Sequence, residues 1–131
     1  MATIVPSQQI GQDQVLFRLR GANMNVTTDQ EFERLGVYPS YIITAIRCAN
    51  ASTSLTTAAG GIYSAASKGG DAVVAAGQAY STLTGSTLGL DLTIAAVGRG
   101  VRTGAPILSL TTAQGAAATA DFYVLGLALP A

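Results

Sequence analysis

Acid–base chemistry in this chain would fall to carboxylates, tyrosine, lysine or cysteine, because the sequence contains no histidine. Two pairs of acidic residues are candidates. Glu31 and Glu33 lie two positions apart, which does not place both side chains on one helix face, so we expect solvated charges. Asp91 and Asp121 lie in predicted strands, where each faces solvent or a subunit contact, or both meet as a paired-carboxylate site. The first arrangement is the expectation.

The single cysteine, Cys48, is predicted to be a buried structural thiol rather than a nucleophile. It shares a strand face with Ile42 and Ile46, and no histidine is present to activate it. A lone cysteine forms no intrachain disulfide, and soft metal ligands are scarce. We therefore expect no catalytic residues, no cofactor and no metal, and the chain is not expected to be an enzyme.

The segment 98–104 is glycine-rich and basic, and it resembles a phosphate-binding turn only superficially. Gly98 and Gly100 follow a predicted strand, but the chain continues to Pro106 and another strand rather than to a helix N-terminus. We reject a phosphate site. The segment is predicted to be a flexible loop whose Arg99 and Arg102 could contact an acidic protein surface.

Charge is scarce in this sequence, which has a net charge of +0, 11% charged residues and a mean hydropathy of +0.40. Two interpretations follow: a β monomer with many surface threonines and serines, or a protomer covered by other copies or a larger assembly. The low charge favours the second, because little repulsion keeps copies apart. Nucleic acid is not expected as a direct partner, since phosphate binding needs a concentrated basic face.

Neither a membrane span nor a signal peptide is predicted. The long uncharged stretch 72–90 is rich in glycine, serine and threonine rather than in leucine, isoleucine and valine. The first six residues show neither a basic region nor an apolar region.

The stretch 119–129 (TADFYVLGLAL) organises the predicted fold. Phe122 and Val124 share one face with two small residues, and Tyr123 and Leu125 share the other with two leucines. A strand that is apolar on both faces belongs at the centre of a sheet. In a chain of 131 residues, it needs a second sheet or a neighbouring subunit to cover it.

Other strands are predicted from the alternation of apolar and polar residues, bounded by turn residues. They cover 14–20, 41–49, 54–57, 62–65, 72–75, 88–97 and 107–112. The diglycine Gly60-Gly61 is typical of a tight hairpin turn or a bulge. Thr28 and Glu31 match a capping box, which predicts a helix of at most two turns over 28–35, with an extended loop as the alternative.

These elements predict an all-β fold: an antiparallel β-sandwich, jelly-roll-like, with about eight short strands and at most one short helix. Residues 1–13 are predicted to be an N-terminal arm, and 14–131 a single β-sandwich domain. The segment SLTTA occurs at 54–58 and again at 109–113. This echo predicts two equivalent hairpins related by pseudo-symmetry.

From residue 41 onward, an ordered series of motifs resembles small virion proteins of tailed bacteriophages. The series spans about two thirds of the chain. Its segments are 41–47 (YIITAIR), 50–52 (NAS), 55–63 (LTTAAGGIY), 66–70 (ASKGG), 78–84 (QxYSxLT), 108–115 (LSLTTAQG) and 120–124 (ADFYV).

The resemblance implies a capsid decoration, or cement, protein with a jelly-roll-like fold, seated over junctions between major capsid subunits on the outside of the virion and assembled in the host cytoplasm. It implies the major capsid protein and further copies of itself, as a homodimer or homotrimer, as partners. A tail or head-tail component and a carbohydrate-binding β-sandwich module are the alternatives. We expect the contacts to include Ile4, Val5, Arg18, Arg20, Arg99 and Arg102.

Overall fold

Two antiparallel sheets pack against each other in the computed structural model of this chain, which describes residues 13–85 and 88–130. The strands are β1 (Gln14–Asn23), β2 (Gln30–Glu31), β3 (Glu33–Arg34), β4 (Ser40–Ala49), β5 (Ala59–Ala65), β6 (Gly69–Val74), β7 (Gly89–Asp91), β8 (Val101–Arg102), β9 (Ile107–Thr112) and β10 (Thr119–Leu129). The one helical element of the described residues is a 3-10 helix, Ala96–Arg99. The all-β prediction is confirmed.

The strand order is that of a jelly roll. Sheet A has the order β3-β1-β10-β4-β7, with β8 also paired to β4, and sheet B has the order β2-β9-β5-β6. A jelly roll has eight strands, which form two Greek keys. Here β2 and β3 together take the place of one of these strands, and β7 and β8 together take the place of another, so the ten strands correspond to eight. The predicted sandwich and its jelly-roll-like topology are therefore confirmed.

The helix predicted over 28–35 is wrong, because this segment pairs with both sheets instead of with itself. β2 pairs with β9 in sheet B, and β3 pairs with β1 in sheet A. Between them, Phe32 is buried in the core and donates its backbone N–H to Pro106 O at 3.1 Å. Tertiary pairing outweighs the local capping signal. The segment 30–34, which we call the first closing segment, shuts one open side of the sandwich.

Residues 89–102, the second closing segment, shut the opposite side. The predicted strand over 88–97 is only partly right, because regular pairing ends at Asp91. Leu92 N–H then donates to Ile46 O and Ala95 N–H to Val73 O, each at 2.8 Å, so the chain crosses from one sheet to the other. The predicted flexible loop over 98–104 instead contains the end of the 3-10 helix and the strand β8. The two closing segments therefore cover part of the outer strand edges of both sheets.

β10 lies at the centre of sheet A, as its sequence predicts. The face with Phe122 and Val124 is buried against sheet B, while Tyr123 and Leu125 on the other face are half-buried. Sheet B thus covers one apolar face of β10. Among the described residues no further layer lies over the other face.

Simple alternation assigns the wrong faces in β1 and β4, because both strands bulge beside the same point of β10. A register shift between Val15 and Phe17 turns Leu16 and Phe17 both into the core. In β4 the shift lies opposite Leu125 and Gly126. A Cβ at Gly126 would overlap the Ile42 carbonyl oxygen and lie 2.9 Å from Leu16 Cδ1. The glycine gives both neighbouring strands room to bulge.

The diglycine does not form a hairpin turn, because Gly60 and Gly61 lie inside β5. A register shift beside Gly60 agrees with the predicted bulge. A Cβ at either position would overlap the backbone of β9 or of β6. Close approach of three strands, rather than chain reversal, requires these glycines.

The two copies of SLTTA are not structurally equivalent. Residues 109–112 lie in β9, whereas 54–58 form a loop before β5. Leu55 and Leu110 are both fully buried, so the shared motif supplies a core leucine in two different backbone contexts. The predicted pair of equivalent hairpins is wrong.

The turn between β5 and β6 has left-handed backbone at both central residues, Ser67 and Lys68, each with φ 58. Type I′ hairpin turns need this conformation, but glycine or asparagine is the usual occupant. Contacts across the sandwich hold the turn: Ser67 N–H donates to Asp29 Oδ2 at 2.7 Å, and Lys68 Nζ donates to Thr27 O at 3.2 Å. Asp29, placed in a helix by the capping signal, is instead a clamp for this turn.

Gly126→Ala should destabilise the fold by about 3 kcal/mol, because an added methyl group displaces the β4 backbone in a packed interior. Denaturant titration measures this change. Gly100→Ala is the matched control, since nothing lies within 4 Å of a Cβ at that position, and it should change stability by less than about 0.5 kcal/mol. Equal stabilities for the two variants would contradict the assignment.

Asp29 should make stability depend on acid pH. The hydrogen bond from the Ser67 backbone, followed by one with Ser109, lowers the pKa of Asp29. A carboxyl whose pKa is lower in the folded chain stabilises the fold above its unfolded pKa, and this contribution is lost as pH falls through the folded pKa. Between pH 6 and pH 3 the denaturation midpoint should therefore fall more in wild type than in Asp29→Asn. Asp13→Asn is the control and should behave like wild type. If the denaturation midpoints of wild type and Asp29→Asn fell by the same amount, Asp29 would not be a clamp for this turn.

Candidate contact surface

The outer face of sheet A, which is turned away from sheet B, carries a continuous set of half-buried or exposed apolar side chains. We call this set the apolar patch. Its members are Val15, Ile42, Ala45, Val101, Leu125, Leu127 and Leu129. Val101 is 63% exposed and Val15 38%. A cluster of this kind on one sheet face is typical of a protein contact surface.

A charged row borders the apolar patch. It crosses five strands in register, so that each member lies directly beside the next. The row reads Glu33, Arg18, Tyr123, Arg47, Asp91, from β3 through β1, β10 and β4 to β7. Its charges therefore run negative, positive, neutral, positive, negative.

Each arginine of the charged row is paired with the carboxylate on its outer side. Arg18 Nε lies 2.8 Å from Glu33 Oε1, and Arg47 binds both oxygens of Asp91 at 2.8 and 3.1 Å. The hydrogen bonds from Arg47 lower the pKa of Asp91, and the hydrogen bond with Asp91 raises the pKa of Arg47. The row is thus neutral overall and consists of exposed pairs that add little stability to the monomer.

The predicted alternatives for Asp91 and Asp121 are now distinguished. Asp91 binds Arg47, whereas Asp121 accepts hydrogen bonds from Gly21 N–H at 2.7 Å and from Asn50 Nδ2 at 3.0 Å. The two carboxylates therefore have different hydrogen-bond partners and do not bind each other. Glu31 and Glu33 are likewise separated, because β2 belongs to sheet B and β3 to sheet A.

The structure does not bring the predicted contact arginines together. Arg18 lies in the charged row, and Arg20 is exposed on the same strand. Arg99 is exposed on the opposite side of sheet A. Arg102 has a side chain only 14% exposed, and it binds Asp71 Oδ2 at 3.1 Å, so it links the two sheets instead of presenting a charge. Ile4 and Val5 lie outside the described residues.

A cavity of about 370 Å³ lies beside Arg102, where the sheets separate near β8. Its polar lining groups bind one another: Tyr41 Oη donates to Gly104 O, and Asp71 N–H donates to Ser64 Oγ at 2.8 Å. These polar groups are therefore already engaged within the chain.

Exposed aromatic side chains would be needed for sugar stacking, but the scattered tyrosines lie inside. Tyr38, Tyr41, Tyr63 and Tyr80 are at most 7% exposed. Tyr123 differs, because it is half-buried in the charged row. The four buried tyrosines cannot stack on a sugar, so they do not support a carbohydrate-binding site.

Cys48 is fully buried, and burial raises the pKa of its thiol to about 12. It is protonated at neutral pH and has no solvent path, as the sequence predicts for a structural thiol. Within 13–85 and 88–130, no three residues among cysteine, aspartate and glutamate are grouped to hold a metal ion. No helix in the same ranges is long and apolar enough to cross a membrane.

The sequence alone could not identify the apolar patch and the charged row. Both depend on register across five strands, and Glu33 had been assigned to a helix that does not form. The available signal was the unusual apolar content of both faces of 119–129.

Comparison of the chain with known protein families, with curated proteins and with solved structures finds no match.

Cys48 should react with a thiol reagent only after unfolding. In native protein at pH 8, labelling by iodoacetamide should be at least about a hundredfold slower than in denaturant, because the thiol is protonated and inaccessible. Mass spectrometry of timed samples measures the rate. Comparable rates in both states would contradict its structural role.

Proposed function

We propose that this chain is a structural virion protein that binds the outer surface of a phage capsid in many copies and stabilises the shell by bridging major capsid subunits. The observation that carries the proposal is the outer face of sheet A. It combines an apolar patch with a neutralised, arginine-containing border, which is the usual anatomy of a protein interface. The resemblance of the motifs from residue 41 onward supports the same assignment.

The sandwich has the mechanical features that such a role needs. The first closing segment pairs with both sheets, and the second pairs with β4 and donates one backbone hydrogen bond to β6, so the two segments cover part of the strand edges that could join strands of other proteins. The core includes several edge-to-face aromatic pairs, among them Phe17 with Tyr41 at 4.9 Å between ring centroids. A rigid body loses little conformational entropy when it binds.

Repetition over the shell makes weak contacts sufficient. Apolar burial contributes about 25 cal/mol per Å² before association costs, so one small contact binds weakly. A copy that touches two neighbouring capsid subunits gains effective concentration from the lattice itself. Bridging therefore resists separation of the subunits without any covalent step.

We assign the grip on the shell to the N-terminal arm, residues 1–13, together with the Arg18 and Arg20 side of β1. The arm precedes β1 at the edge of the apolar patch, because β1 begins at Gln14 opposite Gly126. Arg20 is exposed six residues further along the same strand. A tail or head-tail position of the same contact protein is the alternative, and it differs only in the partner.

Deletion of residues 2–12 should abolish binding to phage particles assembled without the chain, while circular dichroism and the denaturation midpoint stay near the wild-type values. Occupancy is measured by densitometry of sedimented particles. The control is a chain in which residues 2–12 are replaced by an equally long Gly-Ser segment, which should also fail if side chains such as Ile4 and Val5 make the contact.

Two results separate the possible failures. Unchanged occupancy of the deletion variant would rule out the arm while leaving the function intact. Failure of the wild-type chain to bind shells, tails or connectors of the phage that encodes it would overturn the proposed function.

A further inference from the structure

The charged row has a property that its neutral total conceals: it reads the same in both directions. We number the strands of the row from β10, so that β3, β1, β10, β4 and β7 have the positions −2, −1, 0, +1 and +2. The charges are then negative at −2 and +2 and positive at −1 and +1, and Tyr123 lies at position 0. A row laid directly over its own copy would therefore oppose like charges. A copy displaced by one strand would instead oppose unlike charges.

We infer that two copies of this chain associate through the outer faces of sheet A, about a two-fold axis that runs parallel to the strands between β10 and β4. This operation exchanges position 0 with +1, and position −1 with +2. Arg18 of each copy then faces Asp91 of the other, and Tyr123 faces Arg47 of the other. Every facing pair is attractive, through charge or through a cation–π contact.

The same axis also matches the apolar patch. In the next outward-facing register row, Leu125 faces Ala45 of the other copy. In the following row, Leu127 faces Ile42 of the other copy. An axis between β1 and β10 would leave Leu127 without a facing partner, because β1 begins opposite Gly126. The charged row and the apolar rows are therefore both matched by the axis between β10 and β4.

The size of the face suits a dimer of moderate affinity. Strands about 4.8 Å apart with about 3.3 Å per residue give the face an area between about 500 and 800 Å². A standard interface uses about 800 Å² per partner. Sheet twist separates the faces away from the axis, and the long side chain of Arg18 spans that gap.

This inference assigns the outer face of sheet A to a second copy, which leaves the grip on the shell in the proposed function to the N-terminal arm. It also decides where the two arms of a dimer begin. An axis parallel to the strands keeps both copies of β1 pointing the same way, so both N-terminal arms begin at the same end of the dimer. Two arms on one end would bind a shell bivalently.

The test is analytical ultracentrifugation of the full chain over a concentration series. Wild type should show a reversible monomer–dimer equilibrium. Arg18→Glu and Asp91→Arg should each raise the dimer dissociation constant about tenfold or more, because the isologous contact contains each pair twice. The double variant should return the constant to within about threefold of wild type. Within one chain Arg18 pairs with Glu33, and Asp91 with Arg47, so the double variant restores no intrachain pair.

The apolar patch is tested by Leu127→Asp, which should leave a folded monomer by circular dichroism. The matched control is Val97→Asp, an apolar residue 49% exposed on the 3-10 helix and away from the face, which should keep the dimer. A wild-type monomer at every concentration, a dimer that survives Leu127→Asp, or a double variant that stays monomeric would each overturn the inference.

Discussion

The approach of the Ile42 carbonyl to Gly126 is the contact on which the rest of this sandwich depends. Only a residue without a Cβ lets β4 come this close to β10, while Leu16 fills the other side of the same space. The two bulges that result turn Leu16, Phe17 and Ile43 into the core. They also decide which side chains remain on the outer face of sheet A. Core packing and contact surface are therefore two results of one constraint.

Prediction from sequence succeeded where the signal is local and continuous. The apolar run of β10 fixed its central position, and short alternating segments indicated an all-β sandwich. It failed where register or long-range pairing decides: alternation could not anticipate a bulge opposite Gly126, and the capping signal at Thr28 gave way to pairing with both sheets. The charged row could not be predicted, because its five members are neighbours only across strands.

These features describe a protein whose polar groups are largely satisfied within the chain and which carries a cluster of apolar side chains on the outer face of sheet A. Asp121, Arg102 and Tyr41 all bind partners inside the molecule. The outer face of sheet A instead ends in exposed ion pairs and large apolar side chains. Association covers such a surface at little electrostatic cost, and the repeating shell of the proposed function would supply many identical partners.

Cryo-electron microscopy of intact phage particles produced by cells that express this chain tests the proposed function most directly. The account predicts two-layered β-sandwich density, repeated over the outer surface of the shell and contacting more than one capsid subunit. Particles whose outer surface and tail contain no such density, from a lysate in which the folded chain is abundant and free, would contradict it.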